Sequence, residues 1–514
     1  MLALAALLAL AQPATPPATP SSSPPAAQPL DPARPRLISY KCTRIGLDTF
    51  GVNGEFKADH NEIIAYGPGG SILGVARSTD GHRDVPTERD KILAQASWLF
   101  RDGKTIPLIP GDAPPGAAGW NVPVAMSDKG LIIGNTQSLA WAWENGHLTW
   151  LDLPGPQFQT PAGVRKSTVV GVSDSGTVVG QSPFDESIQG SIAWRWVGGN
   201  IEPLGLTAPP FDGEVLERCT SRALAITRAG LIVGSSGRPG KEPNRFGKRR
   251  PSDFVAWTFD GRDYKTLDPA GTPVVGAGTG LSRLVCSPGG RLAFSDSGRT
   301  VLVKDGGFEP ITVPGARPGS LRPLLVRDDG TVAGDAEIPL DSRRSLTALW
   351  VHQEGKTIRL GLTERGTTSN VFVQLGTSPI IRGVSWMEPG RQVPWALWDG
   401  KTVKTLLNDA DHRGSSGGHG DILGVNERGL VLGFSNRTPA REKGKQAEGV
   451  VNDPWILDLR TGTYTLLNHR PVAALKEWRS EPLGLSPDGI AFIHHEARGE
   501  GSQLFHILEA WTAA

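Results

Sequence analysis

GVSDSGTVVGQS (171–182), followed by SIAWRWVGGNIEPLGL (191–206), decides the reading of the chain. It contains a short apolar strand, VVGVS (169–173), a tight Ser-Asp-Ser-Gly turn (173–176) and a second strand, TVVGQ (177–181). A Trp-rich strand, IAWRW (192–196), a Gly turn and a final strand, IEPLGL (201–206), follow. Gly176 stands where a hairpin demands positive φ. The same demand falls on Gly103 in Arg101-Asp102-Gly103, Gly146 in Glu144-Asn145-Gly146 and Gly400 in Asp399-Gly400.

The unit recurs along the chain. Its a–b turn glycines fall at Gly70, Gly130, Gly176, Gly230, Gly290, Gly330, Gly429 and Gly489. A degenerate copy fills the widest gap, with VFVQLGTSPIIRGVSWM (371–387) and PWALWDGKTVKTLL (394–407). Units recur about every 52 residues, each reading as four short strands a to d. Repeated four-stranded units of this length predict an all-β fold: a single β-propeller of eight or nine blades. The last unit has strand a (482–486), strand b (490–494) and strand c (503–511) but no strand d. RLISYKCTRIGL (36–47) precedes the first unit without a partner, so it is expected to complete the last blade and close the ring. A helical turn is expected near 472–479.

Composition agrees. Gly (65) and Pro (42) make up about a fifth of the 514 residues, and 53 basic residues balance 52 acidic ones. That balance speaks against a nucleic-acid-binding chain. Residues 2–11, LALAALLALA, are too few to span a bilayer, which takes about 20. With Ala9-Leu10-Ala11 they read as a signal peptide over 1–11, which implies a secreted or periplasmic protein. Residues 12–36 carry nine prolines and read as a disordered linker, leaving 37–514 for the propeller. Cys42, Cys219 and Cys286 allow at most one disulfide, and Cys219 and Cys286 read as buried apolar residues.

Asn/Ser-x-x-Gly-x-Val-Val-Gly preceding His-Ala-Phe-x-Trp is the pattern of the HAF repeat of extracellular bacterial proteins. The chain resembles it at Ser173-Asp174-Ser175-Gly176-Thr177-Val178-Val179-Gly180 with Ala193-Trp194-Arg195-Trp196. A second match is Leu131-Ile132-Ile133-Gly134 with Ala140-Trp141-Ala142-Trp143. Leu139, Ile192 and Val255 stand at the His position, and Trp usually replaces Phe. The resemblance implies a secreted propeller-like domain and supplies no catalytic residues.

Strand order places the a–b and c–d turns on one face and the b–c and d–a connections on the other. The long connections, among them 77–96, 181–190, 235–253, 335–346, 435–453, 111–123, 207–222 and 408–421, all leave from the second face. One-sided insertion marks a candidate binding face. Loop 235–253, with Arg238, Lys241, Arg245, Lys248, Arg249 and Arg250, would suit a protein partner or an anionic glycan.

Other candidates are weaker. Asp409, Asp411, His412, His419 and Asp421 match no metal-ligand spacing, so neither metal nor cofactor is expected. His494, His495 and Glu496 read as a surface group whose imidazoles point to opposite sides of a strand. The paired tryptophans, Trp141/Trp143 and Trp194/Trp196, share a sheet face and read as packing between blades ahead of sugar platforms. With no Gly-x-Ser-x-Gly and no convergent acid–base set, the sequence points to a non-catalytic binding propeller. A hydrolase or lyase acting on polysaccharide or peptide at the channel mouth is the alternative.

Overall fold

The computed structural model describes residues 40–513 except 59, 80–91, 110–119, 156–157, 160–164, 184–189, 207–219, 244–248, 268–281, 297–298, 305–306, 341–344, 361–366, 375–381, 388–395, 399–402, 406–419, 427, 438–450, 468–476, 487 and 499–503. Among the described residues nine four-stranded antiparallel sheets follow one another along the chain. Blades 1 to 9 span 60–107, 121–151, 168–204, 220–266, 282–311, 322–360, 367–405, 420–466 and 477–513. The degenerate unit is a full blade, with strands Thr367–Gln374, Arg382–Met387, Ala396–Trp398 and Val403–Thr405. The fold is a β-propeller, and the higher of the two expected blade counts holds.

Ring closure occurs as the sequence implies. Tyr40–Ile45 pairs antiparallel with Leu504–Ala513 and becomes strand d of blade 9. Blade 9 then packs on blade 1, where Phe492, Leu508 and Ala510 share a buried cluster with Ile72, Ala76 and Trp98. Between the closing strand and blade 1, Thr49–Phe50 and Phe56–Lys57 form a two-stranded ribbon that the sequence did not announce.

A cross-strand pair organises the blades. A strand b glycine lies opposite a strand c tryptophan in seven of them: Gly74/Trp98, Gly134/Trp141, Gly180/Trp194, Gly234/Trp257, Gly334/Trp350, Gly383/Trp398 and Gly433/Trp455. The indole lies across the space that a side chain would need. A Cβ on Gly134 would fall 2.1 Å from Trp141 Cζ2, and one on Gly234 would fall 2.3 Å from Trp257. Trp98, Trp141, Trp194, Trp257 and Trp350 are wholly buried. Each faces the preceding blade, as Trp141 and Trp143 do among Leu73 and Leu99 of blade 1. Packing is therefore the role of these rings. Blades 5 and 9 lack the pair and place Phe294 opposite Val301 and Ile493 opposite Glu509.

The Ser/Thr/Asn-x-x-Gly turns have a specific chemistry. All eight expected turn glycines have positive φ, from 74° at Gly70 to 101° at Gly290. The first residue of the turn is buried and accepts the N–H of the residue four on. Thr177 N–H reaches Ser173 Oγ at 3.0 Å, Arg291 N–H reaches Ser287 Oγ at 2.8 Å, and Leu430 N–H reaches Asn426 Oδ1 at 3.0 Å.

Three expectations are corrected. Residues 235–253 are largely not a loop: strand b of blade 4 runs on to Pro243 and strand c starts at Arg249, so they form a hairpin arm. Extended backbone continues past the sheet because ladder pairing persists across two bulges. The helical turn is overturned over its described part, since Glu477–Leu485 is strand a of blade 9. His494 and His495 lie inside strand b of that blade, Ala491–Arg498, and are buried, because the strand is longer than its apolar run.

Because the indole and the missing Cβ occupy one space, Gly234→Ala should destabilise the protein by about 1–3 kcal/mol, the range for overpacking. In a double-mutant cycle with Trp257→Val, urea unfolding should give a double variant at least about 1 kcal/mol more stable than additivity requires.

Candidate functional site

Strands a of most successive blades lie against one another and form the inner edge of the ring. In all nine blades this strand carries a bulge opposite strand b, and blade 7 carries two. The extra residues are Ile64, Val124, Val170, Leu224, Leu284, Leu324, Leu423 and Leu483, with Thr368 and Val373 in blade 7. All but Thr368 are aliphatic. Outside blade 7 none is fully buried, and Leu324, Leu423 and Leu483 are 43%, 39% and 38% exposed. Val124, Val170, Leu224 and Leu284 pack against the apolar clusters between blades, whereas Leu324, Leu423 and Leu483 keep more of their surface open. Blade 5 adds Arg283 beside Leu284, with φ 60° and its guanidinium donating to the Leu321 carbonyl at 3.3 Å.

Two residues earlier the same side of strand a is polar or charged in most blades. Glu62, Thr168, Arg222, Arg322 and Glu481 occupy these positions, with Val122 as the apolar exception. The residues between, such as Pro123, Val169, Ala223, Pro323 and Pro482, are buried. Strand a thus has two tiers: an aliphatic one at the bulge, and a polar one toward the long-connection face. Ion pairs hold part of the polar tier. Arg77 meets Glu62 at 2.5 Å, and Arg322 grips Asp335 with two 2.5 Å bonds. At the other end Tyr66 stacks on Phe492 with ring centroids 5.2 Å apart, and burial pushes its phenol up to about 12.

The a–b turns form a collar on the opposite face. Asp174 N–H donates to the Arg228 carbonyl at 2.9 Å, and Ala229 N–H donates to the Pro288 carbonyl at 3.0 Å. Gly289 N–H donates to Asp328 Oδ1 at 2.6 Å. Arg228 also reaches past blade 3 to Asp128 of blade 2 at 3.1 Å.

Two clefts open on this short-turn face, of about 620 and 500 Å³. They share the hairpin of blade 5 around Lys304 and Phe308 as a wall. In the first, Lys304 pairs with Glu309 at 2.5 Å and holds its carboxyl below the usual range. The buried His352 lies 3.3 Å from Glu309 and bonds Thr357 Oγ1 through Nδ1 at 2.8 Å.

Blade 9 contains a serine, a histidine and a glutamate in sequence of contact. Ser480 Oγ lies 2.8 Å from His495 Nδ1, and His495 Nε2 lies 2.9 Å from Glu509 Oε2. Their exposures are 2%, 0% and 5%, so no substrate reaches the hydroxyl, and the chain ties strands a, b and c together. His494 turns to the other side and meets the ring of His60 edge-on at 5.5 Å.

The remaining sequence candidates divide. Asp409, Asp411, His412 and His419 lie outside the described residues, as does Cys219. Among the described residues no group of His, Cys, Asp and Glu is arranged to hold a metal ion. No helix there is long and apolar enough to cross a membrane. Cys286 is a free, half-buried thiol packed with Leu284 and Leu292, as expected of a small apolar residue. The two tiers went unrecognised in the sequence. Their signal is a triplet that the aligned units share, Arg222-Ala223-Leu224, Arg322-Pro323-Leu324 and Glu481-Pro482-Leu483.

No protein-family model matches the chain, and no curated protein matches it. Among solved structures it is similar to the β-propeller domain of the Trilobed protease from Pyrococcus furiosus, with TM-score 0.34 and 11% identity over 69% of this chain and 98% of that one. It is also similar to the acylaminoacyl peptidase of Pyrococcus horikoshii, with TM-score 0.34 and 11% identity over 75% of this chain and 59% of the peptidase. The WD40 domain of SCAP from fission yeast gives TM-score 0.39 and 8% identity over 92% of this chain and 98% of that one. These likenesses are too distant to speak to activity.

Burial lifts the Cys286 thiol to about 12, which keeps it un-ionised and unreactive. Peptide mapping after iodoacetamide treatment at pH 8.5 should find Cys286 unmodified in the folded protein and fully alkylated in urea.

Proposed function

We propose that the chain is an exported, non-catalytic propeller, of the kind the HAF repeat suggests, that binds a partner. The observation that supports this most is the aliphatic tier. An enzyme working in the channel needs converging acids, bases or nucleophiles at its wall. Here the extra residues at the bulges of the inner strands are hydrocarbon in every blade, with Thr368 of blade 7 the one polar addition. The apolar run at 2–11 supports export to the periplasm or beyond.

A protein or anionic glycan is the partner this reading favours for the hairpin arm of blade 4, where Lys248, Arg249 and Arg250 follow one another in the sequence. Neutralising these three should weaken glycan-array binding, and raised salt should weaken binding by the wild type. Binding that ignores both changes refutes the electrostatic contact. Export is tested separately by fusing residues 1–40 to alkaline phosphatase, with periplasmic activity expected.

The polar tier is the specific ground for the alternative, a hydrolase or lyase. Arg222 and Glu481 lie near the long-connection mouth, where a polysaccharide or peptide would enter. Turnover of such a polymer by the purified protein, abolished in Glu481→Gln with the fold intact, would replace the binding reading. No turnover is expected.

A further inference from the structure

We propose that the two clefts astride the c–d hairpin of blade 5 form one site for an oligosaccharide that contains a hexuronate. This rests on the binding reading above and gives its anionic glycan a contact on the short-turn face. Three observations carry it.

The first is the shape and its cause. Blade 5 places Val301, opposite Phe294, where seven blades place the strand c tryptophan. The seam of blades 4 and 5 therefore lacks an indole. Val303 lies two residues on, on the same face of strand c, and lines the cleft of about 500 Å³ with its cross-strand partner Phe308. Leu302, Lys304 and Glu309 line the cleft of about 620 Å³, against Asp329 and Gly330 of blade 6. Arg291, Lys304 and Phe308 border both clefts, so the two meet over one ridge. Each volume falls in the range of small-ligand pockets, about 300–1,000 Å³.

The second is the chemistry of the lining. Phe308 is half-buried and meets Phe294 edge-on, with centroids 6.3 Å apart, and such a ring offers flat apolar support to the C–H face of a sugar. Arg291 and Lys304 stand with it on the shared ridge and suit a carboxylate. Carboxylates flank the ridge on both sides, Glu309 and Asp329 in one cleft and Asp260 and Asp263 in the other. An ionised carboxylate only accepts hydrogen bonds. The site therefore asks for one acid, many hydroxyl donors and an apolar ring face, which a hexuronate within an oligosaccharide supplies. A peptide brings too few donors for four carboxylates, and a neutral sugar gains nothing from the two cations.

The third is that the acceptors are fixed before a ligand arrives. The buried His352 backs Glu309, with Nε2 3.3 Å from Oε1, and is itself held by Thr357 through Nδ1 at 2.8 Å. Lys304 holds the other Glu309 oxygen at 2.5 Å. Asp260 Oδ1 accepts the N–H groups of Arg262 and Asp263, each at 2.9 Å, and Asp329 Oδ1 accepts that of Thr331 at 2.8 Å. Foremost the Asp263 N–H keeps the Asp260 carboxyl below its usual range, and Lys304 does the same for Glu309. Each oxygen keeps a second lone pair for a ligand hydroxyl. Side chains fixed in this way lose little freedom on binding.

The full chain is titrated with the trimers of mannuronate, galacturonate and glucuronate by isothermal titration calorimetry. At least one should bind saturably, and mannotriose should bind at least about tenfold more weakly than that one, because hydrogen bonds to charged groups are the strong ones. Phe308→Leu keeps an apolar side chain but removes the ring, and Asp263→Asn removes one flanking charge. Each should lower affinity at least about fivefold. Ile358→Asn, on outer strand d of blade 6 and 60% exposed in the wild type, should leave affinity unchanged. Melting curves check that each variant is folded, and Asp263→Asn, at an exposed position, serves alone if Phe308→Leu is not. Binding that ignores these substitutions, or no binding of any trimer by a folded wild type, overturns the proposal. So does a Glu-Ser-Glu tripeptide that binds more tightly than the best trimer. Neutralising the blade 4 arm leaves the clefts intact, so failure here leaves the binding reading standing and failure there leaves this one.

Discussion

A strand b glycine facing a strand c tryptophan is the interaction on which the ring depends. Antiparallel neighbours on one sheet face normally compete for space. Here one of them has no side chain, and the other spreads an indole over the vacancy. The tryptophan then supplies a broad flat surface to the preceding blade, and wedge-shaped blades assemble on it. The pair is a volume exchange within the blade that makes the contact between blades. Blades 5 and 9 show the same arithmetic from the other side: when strand b carries Phe294 or Ile493, the facing residue shrinks to Val301 or becomes the hydrogen-bonded Glu509.

Glycine opposite strand a also meets the bulge. The Cβ missing from Gly234 would lie 2.7 Å from the Arg222 carbonyl, and the one missing from Gly334 would lie 2.1 Å from the Arg322 carbonyl. Crowding by strand a and crowding by the indole therefore fall on one residue, which explains why glycine recurs there. The same local geometry accompanies the extra residue in strand a. Packing between blades and the bulge of the inner strand are two outcomes of a single motif.

This division explains what could be read from the sequence. Turn glycines with positive φ, paired tryptophans and an orphan N-terminal strand are local signals with one physical meaning each, and they led to the architecture. Bulges leave no mark in a strand's alternation beyond a one-residue slip, so the aliphatic tier is hidden inside strands such as Thr220–Ile226. The hairpin arm of blade 4 was taken for a loop because Pro239, Gly240 and Pro243 are turn residues, while ladder pairing tolerates them at bulges. His495 was misplaced because its partners, Ser480 and Glu509, stand 15 and 14 residues away, and burial of a histidine depends on such partners.

Closure of the ring by Tyr40–Ile45 has a temporal consequence. The strand pairs with residues up to Ala513, so it waits for blade 9 before it finds its place. During synthesis the first blades are able to form and stack, but each intermediate has an open end with an unpaired strand edge. A chain that stops early never gains its last partner and stays marked by that edge. Meeting of the closing strand and blade 9 thus completes the ring, and this pairing, long-range in sequence, is slow to form.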